Sequence, residues 1–203
     1  MKTRLTIFFI LTFSFILDSF AGSATWKANP SSGEWNNALN WRPRTIPNGA
    51  DDVATFVASN VTNIALAIDP LEVDSVVFAP GASAFTITAS SSGGPLTFSG
   101  LGVVNNSGIA QNFVTYRTYN AGFYFNNQAT AGSQTVFTTA EGPSWISFNN
   151  QATAGSGTFI ILGTRVFEDG HSHLYFYDDT SAANASVTNT GGSGFDGAGF
   201  TKR

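Results

Sequence analysis

The sequence holds no cysteine, which excludes a disulfide scaffold and thiolate-bound zinc or iron–sulfur centres. It is also short of charge. Only 11 % of its 203 residues are Asp, Glu, Lys or Arg, against about 25 % in an average soluble domain. Nine residues are basic and 13 acidic, a formal charge of −4. No nucleic-acid partner is expected, since that role favours a basic face. Helix signals are scarce too: after residue 25 no long segment repeats apolar residues at i, i+3, i+4 and i+7. Neither GxSxG nor GxxxxGK[ST] occurs, so no nucleophile elbow, no phosphate loop and no cofactor are expected. What is present is 42 % apolar residues, with 21 Gly and 14 % aromatics. That suffices to bury a core and argues against wholesale disorder.

The apolar residues are unevenly placed. Lys2 and Arg4 precede the run Leu5 to Leu17, and Ser19-Phe20-Ala21 supplies small residues at positions −3 and −1. This is the layout of a secretory signal peptide. Cleavage after Ala24, with Gly22 at −3, fits nearly as well. This run of 13 residues is too short to span a bilayer, which takes about 20. No second run of spanning length follows. The expectation is an exported chain, secreted or at the cell surface, without a membrane span once the leader is removed. Without residues 1–24, 7 basic and 12 acidic side chains remain.

Beyond the leader lie short runs rich in Val, Ile, Thr and Phe, such as Val73–Phe78, Phe85–Thr88, Thr158–Leu162 and Leu174–Tyr177, bounded by Gly, Asn, Ser and Pro. They predict an all-β protein. The chain also repeats itself. Phe125 and Phe148, 23 residues apart, both open the block FNNQATAGS, and a degenerate copy, YDDTSAANAS, opens at Tyr177 after 29 more. Periods in the twenties mean stacked units. A unit of 23 residues without a helix makes one circuit of a parallel β-helix. Equivalent positions then lie above one another at the strand spacing, about 4.8 Å.

The expected ladder stacks Phe125, Phe148 and Tyr177 inside. At a turn it stacks Asn126, Asn149 and Asp178, beside Asn127, Asn150 and Asp179, where Asn tolerates left-handed backbone. Gly132 and Gly155 fit a tight corner. The six extra residues of the last interval fall most naturally in the polar loop Glu168 to His173.

Two stretches carry a family likeness. Residues 26–56 set Trp26, Trp35, Trp41, Pro47, Asp51, Asp52 and Phe56 at fixed-looking points, and residues 96–114 read LTFSGLGVVNNSGIAQNFV. With the FNNQATAG copies, these resemble exported bacterial β-helix proteins carrying autotransporter-associated β-strand repeats. The resemblance implies a right-handed parallel β-helix (β-solenoid) behind a Trp-rich N-terminal cap. It divides the chain into a signal peptide (1–24), cap and first strands (25–72) and β-helix repeats (73–203). Family members end in a membrane barrel or a sorting helix with a basic tail. This chain stops at GAGFTKR inside a repeat, so a truncated frame or a piece of a longer protein is expected. An uncapped last coil also invites end-to-end association. The family supplies no catalytic residues.

Four groups of side chains are candidate sites. Trp26, Trp35 and Trp41, beside Asn36, Asn37 and Asn40, could hold sugar rings by stacking and edge hydrogen bonds; the plainer reading is a cap closing the core. Asp51-Asp52 offers calcium two carboxylates where six to eight oxygens are wanted, so strand-start duty is preferred. Asp178-Asp179 could be a glycosidase pair, yet both fall on the Asn positions of earlier coils, and consecutive strand residues point to opposite faces. His171 and His173 with Asp169 and Glu168 have metal-ligand chemistry but no confirmed third ligand. The expectation is a non-catalytic structural, adhesive or surface-interaction protein, with a surface glycan or polysaccharide as its possible partner. A polysaccharide-degrading β-helix enzyme and a fragment of a larger autotransporter-like protein are the alternatives.

Overall fold

The computed structural model describes residues 22–66, 70–89, 94–115, 122–139, 143–163, 171–191 and the backbone of 199–202. The first 21 residues, Glu168 and Asp169 lie outside it, and with them most of the expected leader. The chain opens with β1 (Ala24–Trp26), a 3-10 turn (Ala38–Asn40) and β2 (Trp41–Arg42). Long and short strands then alternate: β3 (Gly49–Phe56), β4 (Asn63–Ala65), β5 (Leu71–Phe78), β6 (Thr86–Ala89), β7 (Leu96–Asn105) and β8 (Gln111–Thr115). The repeats follow as β9 (Gly122–Phe125), β10 (Ser133–Thr138), β11 (Ser144–Phe148) and β12 (Ser156–Leu162). Last come β13 (Ser172–Phe176), β14 (Ser186–Thr190) and β15 (Gly199–Lys202).

Odd strands from β1 to β15, with β2 at the end, form a nine-stranded sheet, and even strands from β4 to β14 form a six-stranded one. Every pairing is parallel except β1 with β2. A third line, one residue wide, joins Gly102, Thr130, Thr153 and Ser181 through isolated bridges. The protein is thus all-β, a β-solenoid of about five turns.

Period-two patterning produces this. In β13 the sequence SHLYF buries Ser172, Leu174 and Phe176 and leaves His173 and Tyr175 half-buried. Successive coils repeat that alternation in register, so each inward side chain meets its equivalent one strand away. Phe98, Phe125, Phe148 and Phe176 stack at 4.6, 4.6 and 4.9 Å with planes within 13°. Phe113, Phe137 and Phe159 form a second column from the six-stranded sheet, at 4.6 and 5.2 Å. The columns meet edge to face, as in Phe125–Phe137 (5.6 Å, 77°) and Phe148–Phe159 (5.8 Å, 77°), an arrangement the ring quadrupole favours.

The expected ladder is correct at Phe125 and Phe148 and one residue out at Tyr177. The residue over Phe148 is Phe176, so the block repeats after 28 residues, with Tyr177 over Asn149, Asp178 over Asn150 and Asp179 over Gln151. Backbone bonds fix this: Tyr177 N–H donates to Phe148 O and Asp179 N–H to Asn150 O. The physical reason is parity. Leu174 points inward as Ile146 and Phe123 do, so the inward aromatic two residues on is Phe176.

At the corner after the long strands, Asn127, Asn150 and Asp178 adopt φ of 57°, 60° and 54°. Asn127 N–H donates to Asn150 Oδ1 (3.0 Å) and Asn150 N–H to Asp178 Oδ2 (2.8 Å). Each coil's side chain therefore satisfies the backbone of the coil before it. Gly132 closes the next corner at φ 77°, where a Cβ would lie 2.4 Å from Val103 O; only glycine fits both demands.

At the other end, Trp26, Trp35 and Trp41 are completely buried. They pack edge-on against each other at 5.0 Å and cover Phe56 at 5.6–5.9 Å. Their indole N–H groups donate to the carbonyls of Val61, Pro47 and Trp35. Antiparallel β2 covers the edge of β1, a common way to stop further strand addition.

Register can be tested by stability. Phe148→Ala should cost about 3–5 kcal/mol, as deletion of a buried aromatic does, while Tyr177→Ala should cost about 1 kcal/mol or less. Urea unfolding of the two variants checks this, and equal losses would refute the register.

Candidate functional site

Along β9, β11 and β13 residues point alternately to the two faces of the nine-stranded sheet, and those pointing outward are largely aromatic. β9 presents Tyr124, β11 presents Trp145 with the buried Ser147 two residues on, and β13 presents His173 and Tyr175. Strand register places Tyr124, Ser147 and Tyr175 in one column, and Trp145 beside His173 in the next. Asn126, Asn149 and Tyr177 continue the rows into the corner.

Along β13 the rings stack on one another. His173 lies 4.9 Å from Tyr175 at 17°, Tyr175 lies 5.4 Å from Tyr177 at 27°, and His171 meets His173 edge-on at 5.7 Å. In β11 the equivalent central position is Ser147, whose side chain cannot continue such a stack. A depression of about 410 Å³ results, lined by Tyr124, Trp145, Ser147, Asn149, Tyr175 and Tyr177. None of the described side chains that line it is charged.

Its floor is a chain of hydrogen bonds. Ser147 Oγ donates to Asn149 Oδ1 (3.2 Å), and Asn149 Nδ2 donates to Asn126 Oδ1 (2.9 Å). The surroundings also shift the ionisable groups. Burial, and then the Tyr177 phenol, raise the Tyr124 pKa above the ordinary tyrosine value. Burial, followed by neighbouring His171, lowers that of His173, and its Nδ1 is buried without a hydrogen-bond partner. His173 is therefore held neutral at pH 7.

The sequence-predicted candidates sit elsewhere. Trp26, Trp35 and Trp41 are core residues with no exposed ring face, so a sugar has nothing to stack on; that candidate binding site is corrected to a cap. Asn40, buried between Ser31, Ser32 and Glu34, accepts and donates five hydrogen bonds that hold this cap together. Asp52 accepts from Asn48 N–H (3.0 Å) at the start of β3. Asp178 and Asp179 line a polar hollow of about 520 Å³ with Asn127, Gln128, Asn150 and Gln151. There Asp178 is occupied by a backbone N–H. His171 and His173 project from the outer face of the aromatic rows rather than from that corner, and no group of three His, Cys, Asp or Glu suited to a metal occurs among the described residues.

Tyr124, Trp145, Ser147 and Tyr175 were not singled out by sequence reasoning. Their signal is the strand alternation itself: in FYF, WISF and HLYF the outward residue is Tyr, Trp or His while its neighbours are core.

The fold and face together define a β-solenoid with an aromatic outer strip. The chain matches no protein-family model, no curated protein and no solved structure.

The lowered pKa of His173 has a stability consequence. Protonation is resisted in the folded state, so stability is full above the free imidazole value, about 6.5, and declines as pH falls below it. Chemical denaturation between pH 7 and pH 5 should show this decline, reduced in His173→Phe. An identical pH dependence in that variant would refute the assignment.

Proposed function

We propose that this chain is an exported, non-catalytic β-solenoid that acts by surface contact, secreted or displayed at the cell surface. The observation that carries the reading is the half-buried Tyr–Trp–amide strip on the nine-stranded sheet. Aromatic residues left half in water, gathered on one rigid face and ringed by hydroxyls and amides, are the composition of a recognition surface rather than of a core.

The chemistry around the strip favours contact over turnover. Ser147 is the one hydroxyl at its centre, and its partner is the amide of Asn149. An amide cannot take the proton that an activated serine must lose. The carboxylates Asp178 and Asp179 line the separate corner hollow, away from His171. These placements favour the binding reading over a polysaccharide-degrading one.

The leader supports export, and two contacts favour one cleavage site over the other. Residues 2–21 have the charge, apolar run and small residues of a leader. Ser23 Oγ then accepts from Val53 N–H (2.9 Å), and Ala24 pairs with Ala54. Cleavage after Ala21 keeps both contacts, whereas cleavage after Ala24 removes them. The likeness to proteins with autotransporter-associated repeats agrees with this address.

Two measurements test the proposal. N-terminal sequencing of protein recovered from the medium or periplasm should begin at Gly22; cell-associated protein starting at Met1 would refute export. Labelled full-length protein should be retained on bacterial or host cells, with Trp145→Ala reducing retention. Absence of retention on every surface tried would remove the adhesive role.

A further inference from the structure

We infer that the depression over Ser147 is the seat for one ring of a neutral saccharide chain; this rests on the surface-contact reading and supplies its ligand class. The argument starts from the lattice of the sheet. On β13 the central outward position holds a six-membered ring, Tyr175, between His173 and Tyr177 at centroid distances of 4.9 and 5.4 Å. One strand away the same position holds Ser147, between Trp145 and Asn149. The lattice accommodates a ring at that height, and the sequence does not provide one. An external ring placed there has Trp145 on one side, Asn149 on the other, and Tyr124 and Tyr175 on the flanking strands. These flanking strands lie two strand spacings apart, roughly 9.5 Å. At about 410 Å³ the depression falls at the lower end of small-ligand sites.

Polar chemistry selects the class. Ser147, only 4 % exposed, forms the base of the depression and gives its hydrogen to Asn149, fixing that amide. Asn126 accepts from Asn149 and, among the described residues, makes no hydrogen bond through its own Nδ2, so that N–H group can meet an acceptor at the edge of the strip. The phenols of Tyr124 and Tyr177 can both donate and accept. A partner must therefore bring donors and acceptors around the rim of an apolar ring, as the hydroxyls of a pyranose do. A proline-rich peptide, the other frequent occupant of aromatic grooves, offers acceptors but few donors. Among the described residues no side chain lining the depression is charged, and Tyr124 and His173 are both held in their neutral forms, so these residues offer a charged glycan no counter-charge.

Affinity electrophoresis of the full chain tests this, in gels containing a soluble β-glucan, a mannan or a galactan, with alginate as the anionic control and a proline-rich peptide titrated separately. Retardation is expected in at least one neutral gel and not in alginate. Ser147→Phe, which fills the depression from the outside of the sheet, should weaken it at least tenfold. Should that variant fail to give the native circular-dichroism spectrum, Tyr175→Ala replaces it with the same expected loss. Titration should also change the tryptophan fluorescence. Trp145→Phe should abolish that change, because the other three tryptophans are sealed in the cap. The inference is overturned by absence of retardation in all neutral gels, by undiminished binding in the folded variant, or by binding of alginate or the peptide alone. Cell retention that survives periodate oxidation of surface glycans would overturn the saccharide assignment while leaving the surface-contact reading in place.

Discussion

Each coil of this chain buries its apolar face only against the coil on either side, and the hydrogen-bonded spacing of parallel strands dictates how far apart those faces lie. That spacing is close to the contact distance of stacked aromatic rings, and phenylalanine uses the match. The Phe98–Phe125–Phe148–Phe176 column repeats at 4.6–4.9 Å, so one geometry satisfies backbone and core together. A second column from the opposite sheet meets the first edge-on. The interior is filled by rings whose positions the strands have already set.

The corners obey the same constraint. A coil can close only where the chain turns sharply at the same place every time, and the turn leaves backbone N–H groups directed along the axis. Asn127, Asn150 and Asp178 answer both needs: left-handed backbone is tolerable for them, the side-chain oxygens of Asn150 and Asp178 each take an N–H from the coil before, and Asn127 Nδ2 donates to Ser99 O. Ala129, Ala131, Ala152 and Ala154, all fully buried, keep the corner thin enough for the sheets to meet. The first coil needs different chemistry because, among the described residues, it has a neighbouring coil on one side only. Three indoles, each with its N–H satisfied, and an antiparallel strand supply it.

A stack that uses every inward residue for the core leaves every outward residue available. The outer face of a solenoid is a regular grid whose contents stability hardly restricts. In this chain one part of the grid holds Tyr124, Trp145, His173, Tyr175 and Tyr177 around a single small residue, Ser147. The rigidity of the stack makes that grouping a defined surface, with the ring positions held by the same strands that order the core.

Much of this was legible in the residues. The absence of helix periodicity gave the all-β class, and the repeated FNNQATAGS block with its 23-residue spacing gave the coil, the Phe125–Phe148 stack and the asparagine corner. Those features are local or repeat exactly in kind, so counting along the chain finds them. Two matters needed three dimensions. The third copy has two adjacent aromatics, Phe176 and Tyr177, and composition cannot say which faces inward; the strand partners of Leu174 decide it. Likewise, tryptophans close together in sequence invited a binding role, while the tryptophan on the outer face stands apart from the others. Burial depends on what other coils cover, and a surface site is built from residues 20 or more positions apart that only the stacking of β9, β11 and β13 brings side by side.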